Sequence, residues 1–287
     1  MPYLTWQIDQ YNVANAENAD VFKPNLKGFA VGNGCTNWDY DTNGAYVEMA
    51  YWHSLYSTEM YNELQSLQCD FSGPYMANAS KACLGWLNRF DALVADVNVY
   101  DIFGICYGPD PNPQMYQNST AKHFSSRDYT PWLYPKSRES ANELPPCTFG
   151  YPIMDYLNRA DVREAFHVAP EVGTWELCTN NIHYKSGSEG SQWVYEALFG
   201  KYRMLHYSGD TDGAVPTLGT QNWIASTSWE STDAWKPYYL DGQVAGYIEV
   251  YDQFTFATVH GAGHMVPQDK RPEAVHLISN WLSQAPI

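Results

Sequence analysis

The amino-acid sequence predicts an α/β fold, and three stretches support that prediction. They read "LKGFAVGNG", "RMLHYSGDTDGAVP" and "GYIEVYDQFTFATVHGAGH", and each contains apolar residues that end in a glycine-bearing loop. Such a pattern is typical of buried strands that enter turns. Because α/β folds place their chemistry in the loops that follow strands, these loops are the first candidates for a functional site.

Apolar residues at helical spacing predict the helices that cover this sheet. In the segment 45–67 they recur three or four positions apart, which predicts an amphipathic helix packed on the core. The stretch "MDYLNRADVREAFHV" predicts another helix. The chain closes with "RPEAVHLISNWL", where Pro272 fits a first helical position and the predicted buried stripe consists of Ala274, Ile278, Trp281 and Leu282.

The middle of the chain has a different character. Between Cys69 and Pro146 the stretches "GPDPNPQ" and "NELPPC" are too rich in proline for a continuous helix. We interpret this part as an inserted cap of helical and irregular structure, stapled by disulfides, at approximately residues 36–150. The cap is predicted to be inserted into one α/β domain that spans residues 1–287.

Charge and hydropathy exclude two classes of partner. A formal net charge of −16 and a pI near 4.7 disfavour nucleic acid and anionic lipid surfaces, because the field of the protein would repel both. No apolar run approaches the roughly 18 residues that a membrane span needs. The sequence therefore predicts neither nucleic-acid binding nor a membrane span.

Several features predict an oxidising compartment. The six cysteines form no C-x-x-C pair, which favours disulfides over a zinc or redox site, and Asn78 and Asn118 lie in N-x-S/T sequons. We therefore expect a secreted or endomembrane glycoprotein. The opening "MPYLTWQIDQ" has neither the basic nor the apolar region of a signal peptide, so we expect that signal to lie in sequence upstream of residue 1.

Two loops combine into a catalytic pattern. Asp212 lies in "GDTDGAVP" and His264 lies in "GAGHMVP", so the acid precedes the histidine. This order is that of α/β-hydrolases, in which the carboxylate fixes the imidazole tautomer and the imidazole takes a proton from a preceding nucleophile. Asp212 is favoured over Asp210 because it stands three residues before the valine of a D-x-x-V-P pattern. Asp210 is predicted to stabilise the turn.

A metal site is the competing interpretation of the histidine loop. His260 and His264 have the H-x-x-x-H spacing that binds zinc when the segment is helical. Gly261 and Gly263 oppose a helix there, and no third ligand is placed by the sequence. We therefore predict no metal and no cofactor.

Six segments, in the correct order, resemble the serine carboxypeptidases of the α/β-hydrolase fold. They are "PYLTWQI", "NLKGFAVGNG", "YLNRADVREAFHV", "WELC", "YSGDTDGAVPTLGT" and "TVHGAGHMVPQDKRPEAV". The resemblance implies a partial α/β-hydrolase fold, made of the C-terminal strands and helices of the central sheet plus the inserted cap. It also implies release of C-terminal residues from peptides through an acyl-enzyme, in a lysosome, a vacuole or a secretion.

Site residues follow from the same resemblance. Asp212 would be the triad acid, His264 the general base and Met265 part of the pocket for the leaving residue. The family pattern implies two disulfides, Cys69 with Cys83 and Cys106 with Cys147. It leaves Cys35 and Cys178 open, since these two could join each other or pair elsewhere.

The departure from the family concerns the nucleophile. The family serine lies in a "GESYGG"-like elbow just before the part that "PYLTWQI" resembles, and no serine in the chain has glycine at both −2 and +2. Cys106 in "GICYG" has the elbow form, but "PDPNPQ" follows it where a helix is required. We therefore expect a chain that is inactive alone. An acyltransferase of the same fold and a non-catalytic secreted relative remain as alternatives.

Overall fold

Five strands form one mixed sheet. A computed structural model describes residues 1–41, 43–72, 79–106, 147, 151–176 and 190–287. Its strands are β1 (Gly28–Gly32), β2 (Arg203–Gly209), β3 (Ser231–Leu240), β4 (Gln243–Tyr251) and β5 (Phe254–Val259).

The order of the strands places the three sequence-predicted loops at one edge. The sheet runs β1-β2-β5-β4-β3, in which β1, β2 and β5 are parallel and β4 and β3 continue it antiparallel. Because parallel strands end on the same side of a sheet, the loops after β1, β2 and β5 lie next to one another. The predicted α/β class is therefore confirmed in the described part of the chain.

Ten helices are formed by the described residues. They are α1 (Pro2–Ala14), α2 (Asn43–Trp52), α3 (Thr58–Leu67), α4 (Lys81–Leu93), α5 (Tyr151–Leu157), α6 (Ala160–Ala165), α7 (Gln192–Leu198), α8 (Thr217–Ser226), α9 (Val266–Asp269) and α10 (Arg271–Ser283). None of the helices described combines the length and the apolar character that crossing a bilayer requires.

Each face of the sheet has its own apolar layer. Alternation along β2 sends Met204 to one layer and Leu205 to the other. The first layer includes Val194 of α7 and Trp223 of α8, and the second includes Leu277 of α10. Helices therefore cover both faces, which is the architecture that parallel strands require.

A third apolar cluster belongs to the segment between β1 and α5. Helices α2, α3 and α4 pack around Trp86, which is 1% exposed and donates its Nε1–H to the Met60 carbonyl oxygen at 2.9 Å. The Cys69–Cys83 disulfide joins this cluster with an S–S distance of 2.07 Å. Cys106 and Cys147 form a second disulfide. Both disulfides that the family pattern implies are thus present.

The predicted helix over 45–67 is wrong as a single element. Apolar residues stay in helical phase through the whole segment, yet α2 ends at Trp52 and α3 begins at Thr58. Ser54 adopts a left-handed φ of 61°, which breaks the helical hydrogen bonds, and the Ser57 side chain accepts from the Met60 N–H to cap the new helix. The left-handed backbone at Ser54 and the cap at Ser57 therefore divide the helix that the apolar periodicity predicts.

Other elements differ from the sequence prediction as well. The "MDYLNRADVREAFHV" stretch forms two short helices, α5 and α6. The elements that the sequence patterns did not predict are α1, α4, α7, α8, α9 and β3. In α10 the buried side chains are Ala274 and Leu277, whereas Leu282 is 63% exposed. The predicted stripe is therefore wrong at Leu282 and omits Leu277.

Candidate active site

Asp212 and His264 meet at the edge where β2 and β5 end. The Nδ1 atom of His264 lies 2.8 Å from Oδ2 of Asp212, although 52 residues separate them in the chain. The Asp212 side chain is fully buried, and that of His264 is 19% exposed. A buried carboxylate bonded to Nδ1 holds the imidazole in the tautomer whose Nε2 accepts a proton, so the pair has the geometry of an acid and a general base.

The remaining hydrogen bonds of Asp212 come from its own loop and from β1. Its Oδ1 accepts from the backbone N–H groups of Ala214 at 2.8 Å and Val215 at 3.1 Å. Its Oδ2 accepts from Nδ2 of Asn33 at 2.9 Å in addition to His264. These donors offset the cost of burying the carboxylate, which is large when a charge is left without partners.

Asn33 is a residue that the sequence analysis did not single out. It follows β1 directly, within the "VGNG" turn, and adopts a left-handed φ of 47° that asparagine tolerates better than most residues. Its backbone N–H donates to the Tyr207 carbonyl oxygen at 2.8 Å, which fixes the turn against β2. The glycines on either side of Asn33 indicate a turn, but they do not indicate its partner Asp212, which lies 179 residues away.

The turn that carries His264 is fixed from two sides. The His264 N–H donates to the carbonyl oxygen of Tyr100 at 2.6 Å, and the Tyr100 ring centroid lies 5.4 Å from that of the imidazole. The Gly263 N–H donates to Oδ2 of Asp269 at 3.0 Å. Burial raises the pKa of the Asp269 carboxyl above its ordinary value, and the neighbouring charges of Asp101 and Asp212 raise it further.

Tyr100 belongs to residues 99–101, which contact both loops. In this segment the Val99 carbonyl oxygen accepts from the Gly213 N–H at 2.8 Å, and Oδ1 of Asp101 accepts from the Thr211 hydroxyl at 2.9 Å. A Cβ atom on Gly263 would lie 2.2 Å from the Tyr100 oxygen. Only glycine allows this approach, so the sequence "GAGH" is explained by the contact.

Asp210 and His260 form a second pair beside the first. Nδ1 of His260 lies 2.8 Å from Oδ2 of Asp210, and Oδ1 of Asp210 accepts from the Gly261 N–H. The His260 side chain is 68% exposed and that of Asp210 is 34% exposed. Asp210 therefore joins the two loops through His260 and Gly261, whereas Asp212 is the aspartate bonded to His264.

Two other buried titratable groups, Asp41 and His206, have strongly shifted pKa values. Asp41 is fully buried and its Oδ2 accepts from the N–H groups of Thr36 and Asn37 at 2.8 and 3.0 Å. Burial raises the pKa of Asp41 to about 7, and the charge of Asp212 contributes to the rise. Burial also lowers the pKa of His206, on β2, to about 3.

The other predicted site residues have different outcomes. Met265 follows His264 and its side chain is 53% exposed.

The segment "VNVYDIF" before Cys106 consists of turns, and the Cys106 thiol is consumed in its disulfide, so the cysteine-nucleophile alternative is excluded. Cys35 is a free cysteine, with a thiol pKa raised chiefly by burial. Asn78, Asn118 and Cys178 lie outside the described residues.

The histidine loop does not have the shape of a metal site. Its residues form a turn, and each histidine contacts its own aspartate. Among the residues that the structure describes, no group of three histidine, cysteine, aspartate or glutamate side chains could hold a metal ion.

Comparison with known proteins agrees with the arrangement of strands and loops. The sequence matches the profile of serine carboxypeptidases over residues 1–284. The chain belongs to the serine carboxypeptidase family. It is 32% identical to serine carboxypeptidase 1 of Hordeum vulgare over 90% of this chain, and 28% identical to the lysosomal protective protein of Mus musculus over 91% of it.

The matched proteins are longer than the chain. It spans 56% of the barley serine carboxypeptidase and 59% of the mouse protein. A prohormone-processing carboxypeptidase from Saccharomyces cerevisiae has a similar fold, with a TM-score of 0.62 and 15% identity, over 99% of this chain and 59% of the yeast chain. The fold is therefore that of part of a serine carboxypeptidase, an α/β-hydrolase.

Proposed function

We propose that this chain supplies the acid and the general base of a serine-type carboxypeptidase. The observation that carries the proposal is the 2.8 Å contact between Nδ1 of His264 and Oδ2 of the fully buried Asp212, at the ends of adjacent parallel strands. Asp210, whose carboxylate contacts His260 instead, takes no part in the chemistry.

The proposed reaction uses a serine that these 287 residues do not offer in an elbow. Nε2 of His264 takes the proton of the serine hydroxyl as its oxygen attacks the carbonyl carbon of the last peptide bond. The imidazolium, stabilised by Asp212, then gives that proton to the departing amino group, and an acyl-enzyme forms. Water, deprotonated by the same imidazole, releases the shortened peptide and restores the serine. Met265, which follows His264, would line the site of the leaving residue.

Two further proposals follow from the family. Without an elbow serine, the chain by itself does not hydrolyse peptides, because acid and base have no nucleophile to activate. The protein acts in a secreted, lysosomal or vacuolar setting, which is supported by its disulfides and by its similarity to a lysosomal protective protein. Its substrate would be a peptide with a free C-terminus.

An activity measurement tests the proposal. The chain is assayed alone and as a fusion in which the N-terminal part of the barley relative, up to its matched region, precedes residue 1. Release of the C-terminal residue from an N-blocked dipeptide is expected only from the fusion. His264→Gln and Asp212→Asn are expected to lower its kcat by about 10⁴-fold, as loss of triad members does in serine proteases.

Asp210→Asn is the matched control and is expected to retain activity. Hydrolysis by the unfused chain, or an Asp212→Asn fusion as active as the unsubstituted fusion, would contradict the proposal. Transfer of the acyl group to an added alcohol, with no release by water, would favour an acyltransferase instead.

A further inference from the structure

Within the described part of the chain, four hydrogen bonds reach the Asp212 carboxylate. Two reach Oδ1, from the N–H groups of Ala214 and Val215, and two reach Oδ2, from Asn33 and His264. A carboxylate offers about four lone-pair sites, so its accepting capacity is filled. Three of the four donors therefore determine how the carboxylate is presented to the fourth, His264.

The four donors do not have equal effects on orientation. Ala214 and Val215 belong to the same loop as Asp212 and hold only Oδ1. Rotation about the Cβ–Cγ bond moves both oxygens together and would carry Oδ2 away from the imidazole. Asn33 is the donor on Oδ2 that comes from a different strand end, at 2.9 Å, and it opposes this rotation.

The turn that carries Asn33 is closely packed. The residue is 5% exposed, and its backbone N–H is bonded to β2. The glycines on both sides are constrained as well, since a Cβ atom on Gly32 would lie 2.3 Å from the Tyr207 ring and one on Gly34 would lie 2.5 Å from Val31. The packed turn fixes the backbone of Asn33, and from there its Nδ2 reaches Oδ2 of Asp212.

We propose that Asn33 is a positioning residue of the catalytic pair, whose amide holds Oδ2 of Asp212 toward Nδ1 of His264 and so selects the Nδ1–H tautomer. The inference rests on the proposed function for its catalytic meaning, because the Nδ1–H tautomer leaves Nε2 as the proton acceptor. Asn33 acts through Asp212 and does not touch the reacting atoms.

The tautomer can be measured without any catalytic activity. Nitrogen-15 chemical shifts of His264, in the histidine-labelled chain at about pH 8 where an ordinary imidazole is neutral, distinguish Nδ1–H from Nε2–H. Asn33→Asp keeps the shape but replaces the donor with an acceptor. Asn33→Gly removes the amide and accepts the left-handed backbone without strain, so it protects the test against misfolding.

Both variants are expected to lower the ratio of Nδ1–H to Nε2–H tautomer about tenfold, the size of one charge-assisted hydrogen bond. Asn12→Asp is the matched control, because Asn12 also donates through Nδ2, to the Pro24 carbonyl oxygen at 2.8 Å, but lies in α1. It is expected to leave the ratio unchanged. An unchanged ratio in both Asn33 variants would overturn the inference.

Kinetics of the fusion enzyme separate this inference from the proposed function. Asn33→Gly is expected to lower kcat by about 10- to 100-fold with KM unchanged, since the lost contact orients a catalytic group and binds no substrate. If the fusion releases no C-terminal residue while the tautomer still responds to Asn33, the proposed function fails and the positioning role is supported. If the fusion is active and neither tautomer nor kcat responds, the positioning role alone is refuted.

Discussion

Two buried groups are expected to give the stability of this protein opposite dependences on pH. His206 and Asp41 are both fully buried. The pKa of His206 is lowered from its ordinary 6.5 to about 3 by burial, and the pKa of Asp41 is raised from 3.8 to about 7, chiefly by burial. Each pKa difference between folded and unfolded chain makes the free energy of unfolding change with pH.

The signs follow from which state binds the proton. Below pH 6.5 the unfolded chain protonates His206 while the folded chain does not until about pH 3, so acidification favours unfolding. Between about pH 7 and 3.8 the folded chain protonates Asp41 while the unfolded chain does not, so acidification favours folding. Each effect amounts to about 1.4 kcal/mol per pH unit, and in the overlap from 3.8 to 6.5 the two cancel.

Single substitutions should separate the two opposing pH dependences of the free energy of unfolding. His206→Phe removes this titrating group, so from about pH 6.5 to 4.5 its free energy of unfolding should rise by about 3 kcal/mol relative to that of the unsubstituted protein. In Asp41→Asn the side-chain oxygen can still accept from the N–H groups of Thr36 and Asn37. The free energy of unfolding of this variant, relative to that of the unsubstituted protein, should fall by a similar amount over the same pH range. Loss of the contact between His206 and the Tyr195 hydroxyl adds an offset that does not depend on pH.

Urea unfolding, followed by far-ultraviolet circular dichroism at several pH values, measures these slopes. The double variant is the internal control and should return to the pH dependence of the unsubstituted protein. Slopes in both single variants that match the unsubstituted protein within about 0.5 kcal/mol over this range, a limit set by typical extrapolation error, would refute the reasoning.

Three further predictions concern packing and cross-links. Gly263→Ala places a methyl group 2.2 Å from a backbone oxygen and should lower the free energy of unfolding in urea by about 2 kcal/mol, whereas Gly85→Ala in α4, with nothing within 4 Å, should raise it by up to about 1 kcal/mol. Removing the disulfide with Cys69→Ser and Cys83→Ser should lower the unfolding free energy by about 3 kcal/mol, and a loss below about 1 kcal/mol would contradict this. His260→Ala should change the thermal midpoint little, because its contact with Asp210 is exposed to solvent and such a surface contact is worth less than about 1 kcal/mol.

The sequence predicted those parts of the site that depend only on local pattern and on position in a loop. Asp212 and His264 each follow an apolar strand directly and lie in glycine-bearing loops, so their neighbourhood followed from the parallel order of the strands. The choice of Asp212 over Asp210 rested on its distance from a valine, and the geometry places the two carboxylates on different histidines. These features depend on a few neighbouring residues.

What the sequence could not predict depends on distant contacts. The Asn33 amide meets Asp212 across 179 residues, and nothing near Asn33 indicates that partner. The Tyr100 carbonyl oxygen accepts from the His264 N–H, a contact between segments far apart in the chain. The break in helix 45–67 is set by the left-handed Ser54, which leaves the apolar period undisturbed. Apolar periodicity indicates which face of a helix is buried, but it does not indicate where the backbone leaves the helix.

The most direct test of the account is the tautomer of His264 when each aspartate is replaced in turn. Nitrogen-15 shifts at about pH 8 should report Nδ1–H in the unsubstituted chain and in Asp210→Asn, and Nε2–H in Asp212→Asn, because an amide at position 212 can donate to Nδ1 and reverse the imidazole. A His264 tautomer that changes with Asp210 and not with Asp212 would contradict the central claim that Asp212 orients the general base.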